Sequence, residues 1–583
     1  MITIYQLLII KKMIDIEDLK KDNFDATSYL KMINKKYKTN YKKYDLIKVY
    51  EENEINDYGI RKKLIKKVQK SQSGIVSITV LTSGTPEYTN KNGERIKGTF
   101  SCLHNCSFCP NEKPSKENNW IQQPKSYLYT EPAVLRANQN DFDPIKQMNS
   151  RISSLLRMGH RVDKLELIVL GGTWSEYPKE YQEEFITSLY YSANVYFDDF
   201  KRPLKSLEDE IEINESSLIH IIGLTLEMRS DSICMREMER LRRFNCTRVQ
   251  LGIQHTDNEI LRMNNRGETV EITKRAIKLL KDNCYKIDGH LMLNLYGSSP
   301  EKDREMLSTI LDDEDLQIDQ LKIYPCAVVP FTKIKELFDE GIYKPYEDYH
   351  LIDIIKEFKM KIKPQFRINR IIRDISGHYI LGGYSQQMTN LRQILKEDMR
   401  KNNWKCGCIR CREVKDNLFD KKELKLKVLE YKSSGGREFF ISYETPEFLI
   451  GFIRLRLNSS PEIKQLPILN RCALIRELHV YSPLLNVGEN DIYSSQHKGY
   501  GSRLLKKAEE IAEMNGFDKM AIISGTGVRN YYRKFGYELN DTYMIKSLNK
   551  GYIKKILNRF IKYLWNSLLK IANIPIHLFM RSY

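Results

Sequence analysis

Ser101-Cys102-Leu103-His104-Asn105-Cys106-Ser107-Phe108-Cys109-Pro110 places three cysteines at C-x3-C-x2-C spacing. Three thiolates set this way wrap one loop around three irons of a 4Fe-4S cluster and leave the fourth iron open to a ligand. Zinc or free thiols are the alternative. A zinc ion needs a fourth ligand close by, and His104 is the one this loop offers.

Around this loop the hydrophobic pattern alternates between strand and helix. Strands are expected over 75–81, 164–170, 219–227, 247–254, 289–295 and 320–324, with helices such as 232–244 and 269–283 between them. Repeated strand–helix units over residues 74–375 imply a parallel sheet of barrel or half-barrel shape. The strand Lys164–Leu170 runs into Gly171-Gly172-Thr173. Paired glycines after a strand let the backbone approach a ligand closely. With Phe108 between the last two cysteines, the whole resembles the radical S-adenosylmethionine (SAM) superfamily. That resemblance implies SAM on the open iron and a partial (β/α) barrel, with Gly171, Gly172 and Thr173 beside the SAM amino group.

The pattern resets at about residue 421. Strands are expected over 438–443, 447–457, 473–481 and 520–524, with a helix over 502–515, which makes a smaller mixed α/β domain over 421–548. Gln496-His497-Lys498-Gly499-Tyr500-Gly501 opens that helix. It resembles the Q/R-x-x-G-x-G/A loop of GNAT acyltransferases, whose backbone N–H groups and helix dipole hold a diphosphate. By this resemblance Gln496, Gly499, Tyr500, Gly501 and Ser502 would bind the acetyl-CoA pyrophosphate, and the strand Glu477, Leu478, His479 and Val480 would lie along the acyl arm. Tyr531 or Tyr532 would protonate the leaving thiolate as a general acid; aromatic core packing is the plainer fate of either ring.

One chain joining these two centres resembles the catalytic subunit of the Elongator complex and its archaeal, bacterial and viral relatives. The stretches that carry the likeness include Gly223-Leu224-Thr225-Leu226-Glu227-Met228-Arg229, Leu251-Gly252-Ile253-Gln254, Asn265-Arg266-Gly267, Leu321-Lys322-Ile323-Tyr324-Pro325, Arg476 to Tyr481 and Gly527 to Tyr532. The resemblance implies a cytoplasmic tRNA-modifying enzyme. It would form 5-carboxymethyluridine at the wobble position, taking carbon from acetyl-CoA through a SAM-derived radical. Lys164 would touch acetyl-CoA from the barrel side. The alternative is a protein lysine acetyltransferase with a structural cluster. Asn111-Glu112 stands where the family has Gly-Gly after the last cysteine and proline.

Between the two domains, residues 376–420 carry Cys406-x-Cys408-x2-Cys411. Three thiolates so close suggest structural zinc. The resemblance implies His378 as fourth ligand, because relatives place a His in this connector.

The chain has 583 residues, 41% hydrophobic and 29% charged, with 11 cysteines and a net charge of +18. Clustered cysteines and the absence of a signal-peptide pattern exclude a secreted disulfide scaffold. The positive surplus favours a polyanion, although a Lys-rich composition alone gives the same figure. The expected partner is the tRNA anticodon stem-loop, held by basic N-terminal helices over residues 1–73 and by the stretch Arg367 to Arg373. Elongator-like subunits, a homodimer or a chain acting alone all stay open. Residues 549–583 read as a basic amphipathic helix, suited to a membrane surface or to the protein itself.

Overall fold

The computed structural model describes residues 18, 21, 24–52, 63–66, 74–100, 102–415, 417, 419–458, 464–481 and 499–548. The expected tail helix over 549–583, Gln496, and Arg61, Lys62 and Lys67 of the basic stretch that ends the N-terminal region lie outside the described residues.

The first sheet holds seven strands. Strand β1 (Val76–Leu81) is followed by a small hairpin of β2 (Glu87–Thr89) and β3 (Arg95–Lys97). The barrel strands continue as β4 (Lys164–Leu170), β5 (His220–Arg229), β6 (Arg248–Gln254), β7 (Lys286–Leu293), β8 (Gln320–Pro325) and β9 (Arg367–Arg370). Their spatial order is β1-β4-β5-β6-β7-β8-β9 and every pairing is parallel. Parallel strands need long crossovers, and helices such as Pro144–Arg157, Lys179–Asn194 and Val270–Asp282 supply them. Each of these carries an apolar stripe: Met148, Ile152 and Leu155, for example, are buried on the first. The edges β1 and β9 do not pair, so the barrel is open on one side.

Alternation along the strands decides what fills the interior. In β7, Ile287, Leu291 and Leu293 are buried in the apolar core, while Lys286, Asp288, His290 and Met292 line a cavity. In β8, Leu321 and Ile323 are core, while Gln320, Lys322 and Tyr324 line the same cavity. Interiors of closed eight-stranded barrels are packed with branched aliphatics. Here the inward positions are polar, so the interior is a lumen.

The second sheet contains β10 (Lys425–Ser433), β11 (Gly436–Glu444), β12 (Leu449–Asn458), β13 (Cys472–Val480), β14 (Lys519–Ile522), β15 (Glu538–Asn540) and β16 (Tyr543–Ser547). Its order is β10-β11-β12-β13-β14-β16-β15, antiparallel except for β13 with β14. The helix Tyr500–Met514 packs Leu504, Leu505, Ala508 and Ile511 against this sheet.

This domain covers the N-terminal ends of the barrel strands. Arg476 of β13 donates to the carbonyl of Tyr285, just before β7, and pairs at 2.5 Å with Asp319, just before β8. The Tyr543 hydroxyl donates to the Asn283 carbonyl at 2.9 Å. The cysteine loop sits at the other end, where Arg229 closes β5. The two chemical centres thus face opposite mouths of one lumen.

Candidate active site

At the upper mouth, Arg229 and Arg266 each point an Nη1 at Cys106 Sγ, at 3.7 and 3.8 Å. Both guanidiniums are buried and are held by Glu268, at 3.2 and 2.9 Å. Two cations aimed at one sulfur suit a thiolate. Burial, reinforced by Cys106, pushes the Cys109 thiol up to about 12. A thiol so placed ionises only when a metal takes its charge. The donor set therefore fits a cluster. His104 does not serve as a ligand: its Nε2 lies 3.2 Å from Asp231.

The loop is pinned from several sides. Lys125 donates to Asn105 Oδ1 at 2.8 Å, Ser107 N–H to the Asn264 carbonyl at 2.9 Å, and Asn111 N–H to the Phe331 carbonyl at 2.9 Å. Glu112 is buried; its carboxylate accepts from Asn118 at 3.0 Å and from Tyr129 N–H at 2.8 Å. Its charge is used to shape the loop. Gly171 and Gly172 have φ of +132° and +101°, a region that strains any other residue. A Cβ on Gly172 would stand 3.1 Å from the Phe100 ring. Thr173 is buried beside them. Glu227 stands nearby, accepting from the Tyr127 hydroxyl at 2.7 Å, and burial raises its carboxyl above the usual range.

The lower mouth opens on the second domain. Gly499 has φ +69° and caps the helix Tyr500–Met514, leaving that helix's first N–H groups without helical partners. The Ser502 hydroxyl donates to the Gly499 carbonyl at 2.8 Å, and Tyr500 is buried against Tyr443. A Cβ on Gly501 would meet the Tyr531 hydroxyl at 2.5 Å, so that glycine admits the phenol to the loop. Tyr531 is 37% exposed; Tyr532 is 6% exposed and packs in the apolar core, though both border the cavity. Glu477, Leu478, His479 and Val480 line the same space. Burial depresses the His479 imidazole to about 4.

One cavity of about 1460 Å³ joins the two mouths. It takes in Gly499, Gly501 and Tyr531 below, Lys164, Lys286 and Lys322 between, and Phe108, Pro110 and Ser126 above. From Lys286 to Met292 the strand rises about 20 Å at roughly 3.3 Å per residue.

Cys406, Cys408 and Cys411 come together with all three sulfurs within 4.8 Å of one another, the one such group among the described residues. Hydrogen bonds accepted from Cys406 and Cys411 pull the Cys408 thiol well down. This donor set fits zinc. His378 does not join it; its ring packs on Tyr379, with centroids 4.8 Å apart. Lys359 Nζ lies 3.7 Å from Cys411 Sγ.

The basic stretch divides. Arg367 pairs with Glu413, and Arg373 pairs with Glu131 at 2.7 Å; Arg370 is 52% exposed and pairs at 3.4 Å only with the exposed Asp374. The site groups not anticipated from sequence are Glu227 and Arg229, at the C-terminal end of β5, and Arg266, just after the helix Asn258–Met263. The first two carried a signal, charged residues closing an apolar strand; Arg266 did not.

Comparisons with known proteins agree with this geometry. Residues 96–311 match the Radical SAM superfamily, 318–401 the Radical_SAM C-terminal domain, and 411–537 the Acetyltransferase (GNAT) family. The chain is 38% identical over 498 residues to the tRNA uridine(34) acetyltransferase of Methanocaldococcus jannaschii, covering 83% of this chain and 86% of that one. It is 33% identical over 450 residues to the human Elongator complex protein 3, covering 76% and 80%. The solved archaeal Methanocaldococcus infernus Elp3 with N-terminus deletion (1-46) superposes with a TM-score of 0.67 at 34% identity, covering 82% of this chain and all of that one. This chain belongs to the family of tRNA uridine(34) acetyltransferases and Elongator complex protein 3, in which a radical-SAM half-barrel is joined to a GNAT domain.

Proposed function

We propose that the chain forms 5-carboxymethyluridine at the wobble position of tRNA, with acetyl-CoA as carbon source. The observation that carries this reading is the single lumen joining the cysteine loop to the GNAT site. A lysine acetyltransferase needs no such passage, because its acyl group leaves toward a peptide outside.

SAM bound at a 4Fe-4S cluster on Cys102, Cys106 and Cys109 supplies a radical strong enough to take hydrogen from an unactivated methyl. The protein's own residues do the rest. Gly171, Gly172 and Thr173 shape the space beside that cluster. Gly499, Gly501 and Ser502 hold the pyrophosphate at a helix N-terminus, and Glu477 to Val480 guide the acyl arm toward the lumen. Tyr531, with its hydroxyl against Gly501, donates the proton to the departing thiolate. The exposed guanidinium of Arg370 meets tRNA phosphate near the lateral opening between β1 and β9. A zinc ion on Cys406, Cys408 and Cys411 stiffens the connector. The clustered thiols suit the reducing cytoplasm.

Purified protein given SAM, a reductant, acetyl-CoA and tRNA is expected to yield 5-carboxymethyluridine by nucleoside mass spectrometry. The Cys106→Ser variant should lose at least a hundredfold. Acetyl transfer to lysine peptides without SAM, and no modified uridine, would sink the proposal.

A further inference from the structure

We propose that Trp120 and Phe331 are stacking platforms for unpaired bases of the RNA loop, on two loops that meet at the segment following the last cluster cysteine. This rests on the tRNA reading above and names the side chains that touch the bases.

Among the described residues three aromatics have left-handed backbone: Trp120 at φ +59°, Phe142 at +54° and Phe331 at +65°. For a bulky side chain this region is strained, and something must offset the cost. Packing does so for Phe142, which is 5% exposed in an apolar cluster with Leu81 and Tyr127. Trp120 is 71% exposed and Phe331 48%, so packing within the described chain offsets far less.

Both loops are held firmly at Asn111 and Glu112. The Asn111 N–H donates to the Phe331 carbonyl at 2.9 Å. The helix that follows, Lys333–Asp339, ties to the cysteine loop through Ile334 N–H and the Ser107 carbonyl, also at 2.9 Å. On the other side Glu112 accepts from Asn118 at 3.0 Å, and Asn118 accepts from Ser115 N–H at 2.8 Å. Trp120 N–H closes the turn on the Ser115 carbonyl at 2.7 Å. Pro110 and Val329, a step along the chain from these contacts, line the lumen, which sets the two loops beside its upper mouth.

The surroundings name the occupant. Lys113 and Lys116, on the Trp120 loop, are exposed and make no ion pair within 4.0 Å among the described residues; Glu117 is the exposed acid beside them. Free ammoniums next to an exposed ring suit a nucleic acid, phosphate on the cation and base on the ring face. Stacking needs a base already out of its helix, which a loop supplies and a duplex does not.

The test uses the full-length protein without SAM or acetyl-CoA. Binding of a tRNA anticodon stem-loop is read by fluorescence anisotropy at fixed salt. Trp120→Gly and Phe331→Gly should each weaken the stem-loop by about tenfold, within what one stacked base contributes, and Trp120→Phe should stay within about threefold. A blunt RNA duplex of equal charge should bind wild type and variants alike. Glycine relieves left-handed strain, so the urea midpoints of both glycine variants should hold or rise, which separates lost stacking from lost folding. Trp120→Asn, which also tolerates that backbone, gives the same reading if the glycine variant does not fold. Unchanged stem-loop binding in either glycine variant, or equal loss of stem-loop and duplex, would overturn this proposal and leave the tRNA reading standing. A wild-type protein that binds no stem-loop would take both down together.

Discussion

Two sets of buried charge lie within a few residues of each other and are treated in opposite ways. Between the domains, Lys281, Arg454, Arg456 and Arg476 meet Asp282, Asp319, Glu438 and Glu477, and every member has an opposite partner at 3.3 Å or less. Among the described residues, Lys164 and Lys286 of the lumen next door make no ion pair within 4.0 Å, and Lys286 acts on Glu477 from farther away. The paired set fixes how the GNAT sheet sits on the barrel. Of the lumen lysines, Lys286 acts on Glu477 and Asp319 only through longer-range attraction, so it adds little to that fit.

The sharpest way to break this contrast is to remove one member of the paired set. Asp319 accepts both Arg476 nitrogens, at 2.8 and 2.5 Å, and Arg454 lies 3.6 Å away. Asp319→Ala removes the carboxylate that two buried guanidiniums share, leaving Arg476 to Glu438 and Arg454 to Glu477 alone. Losing one partner of a buried ion pair typically costs about 3–5 kcal/mol. Urea denaturation should show a loss of that size. A loss below 1 kcal/mol would mean that the network does not hold the domains together.

Acid attacks the same set more gently. Burial raises the Glu438 and Glu477 carboxyls, but the surrounding cations win: Arg476, Lys281 and Arg456 for the first, Lys286, Arg454 and Arg248 for the second, holding both at about 2. The unfolded value is about 4.3. A depressed folded pKa stabilises above the unfolded pKa and stops doing so as pH falls through the folded one. Stability should therefore hold from pH 7 to about 5 and fall steadily toward pH 2, by at most about 3 kcal/mol for each carboxylate. Glu438→Gln should flatten this slope without abolishing it.

Lys286→Met inverts the expectation. Lys286 makes no direct ion pair and reaches Glu477 only from beyond 4.0 Å, so its removal should cost about 1 kcal/mol or less. A loss as large as that of Asp319→Ala would place Lys286 with the paired set.

The same contrast explains what was legible in the sequence. Strand–helix alternation, the cysteine loop and the GNAT glycines are local patterns, and strands such as Lys164–Leu170 stand where the pattern put them. Charges that serve structure are not local. Arg476 and Asp319 are 157 residues apart, and nothing in either neighbourhood points to the other. Lumen-facing polar residues also disguise strands. With Lys286 and Asp288 turned inward, β7 reads as loop until Gly289, so its expected start came three residues late. Arg367–Arg370 reads as an RNA-binding run because three of its four residues are polar, yet it is β9 with Ile368 in the core, and Arg367 is spent on Glu413. His378 was expected on the zinc because it shares the connector, but closeness in sequence did not bring it to the three sulfurs.

The smallest expected effect tests that correction. If the three thiolates suffice, His378→Ala should keep the metal content of the purified protein unchanged by elemental analysis, and Cys408→Ser should lose it. Cys408 is the buried member of the trio and caps the short helix Ile409–Arg412, so its sulfur cannot be replaced from solvent. Lys359, at 3.7 Å from Cys411, offers positive charge and no lone pair while protonated, so it offsets thiolate charge without completing a coordination sphere. The fourth position is then left to a water or a small ligand. Equal metal loss from His378→Ala and Cys408→Ser would show that the histidine reaches the ion after all, and the connector would join the paired set.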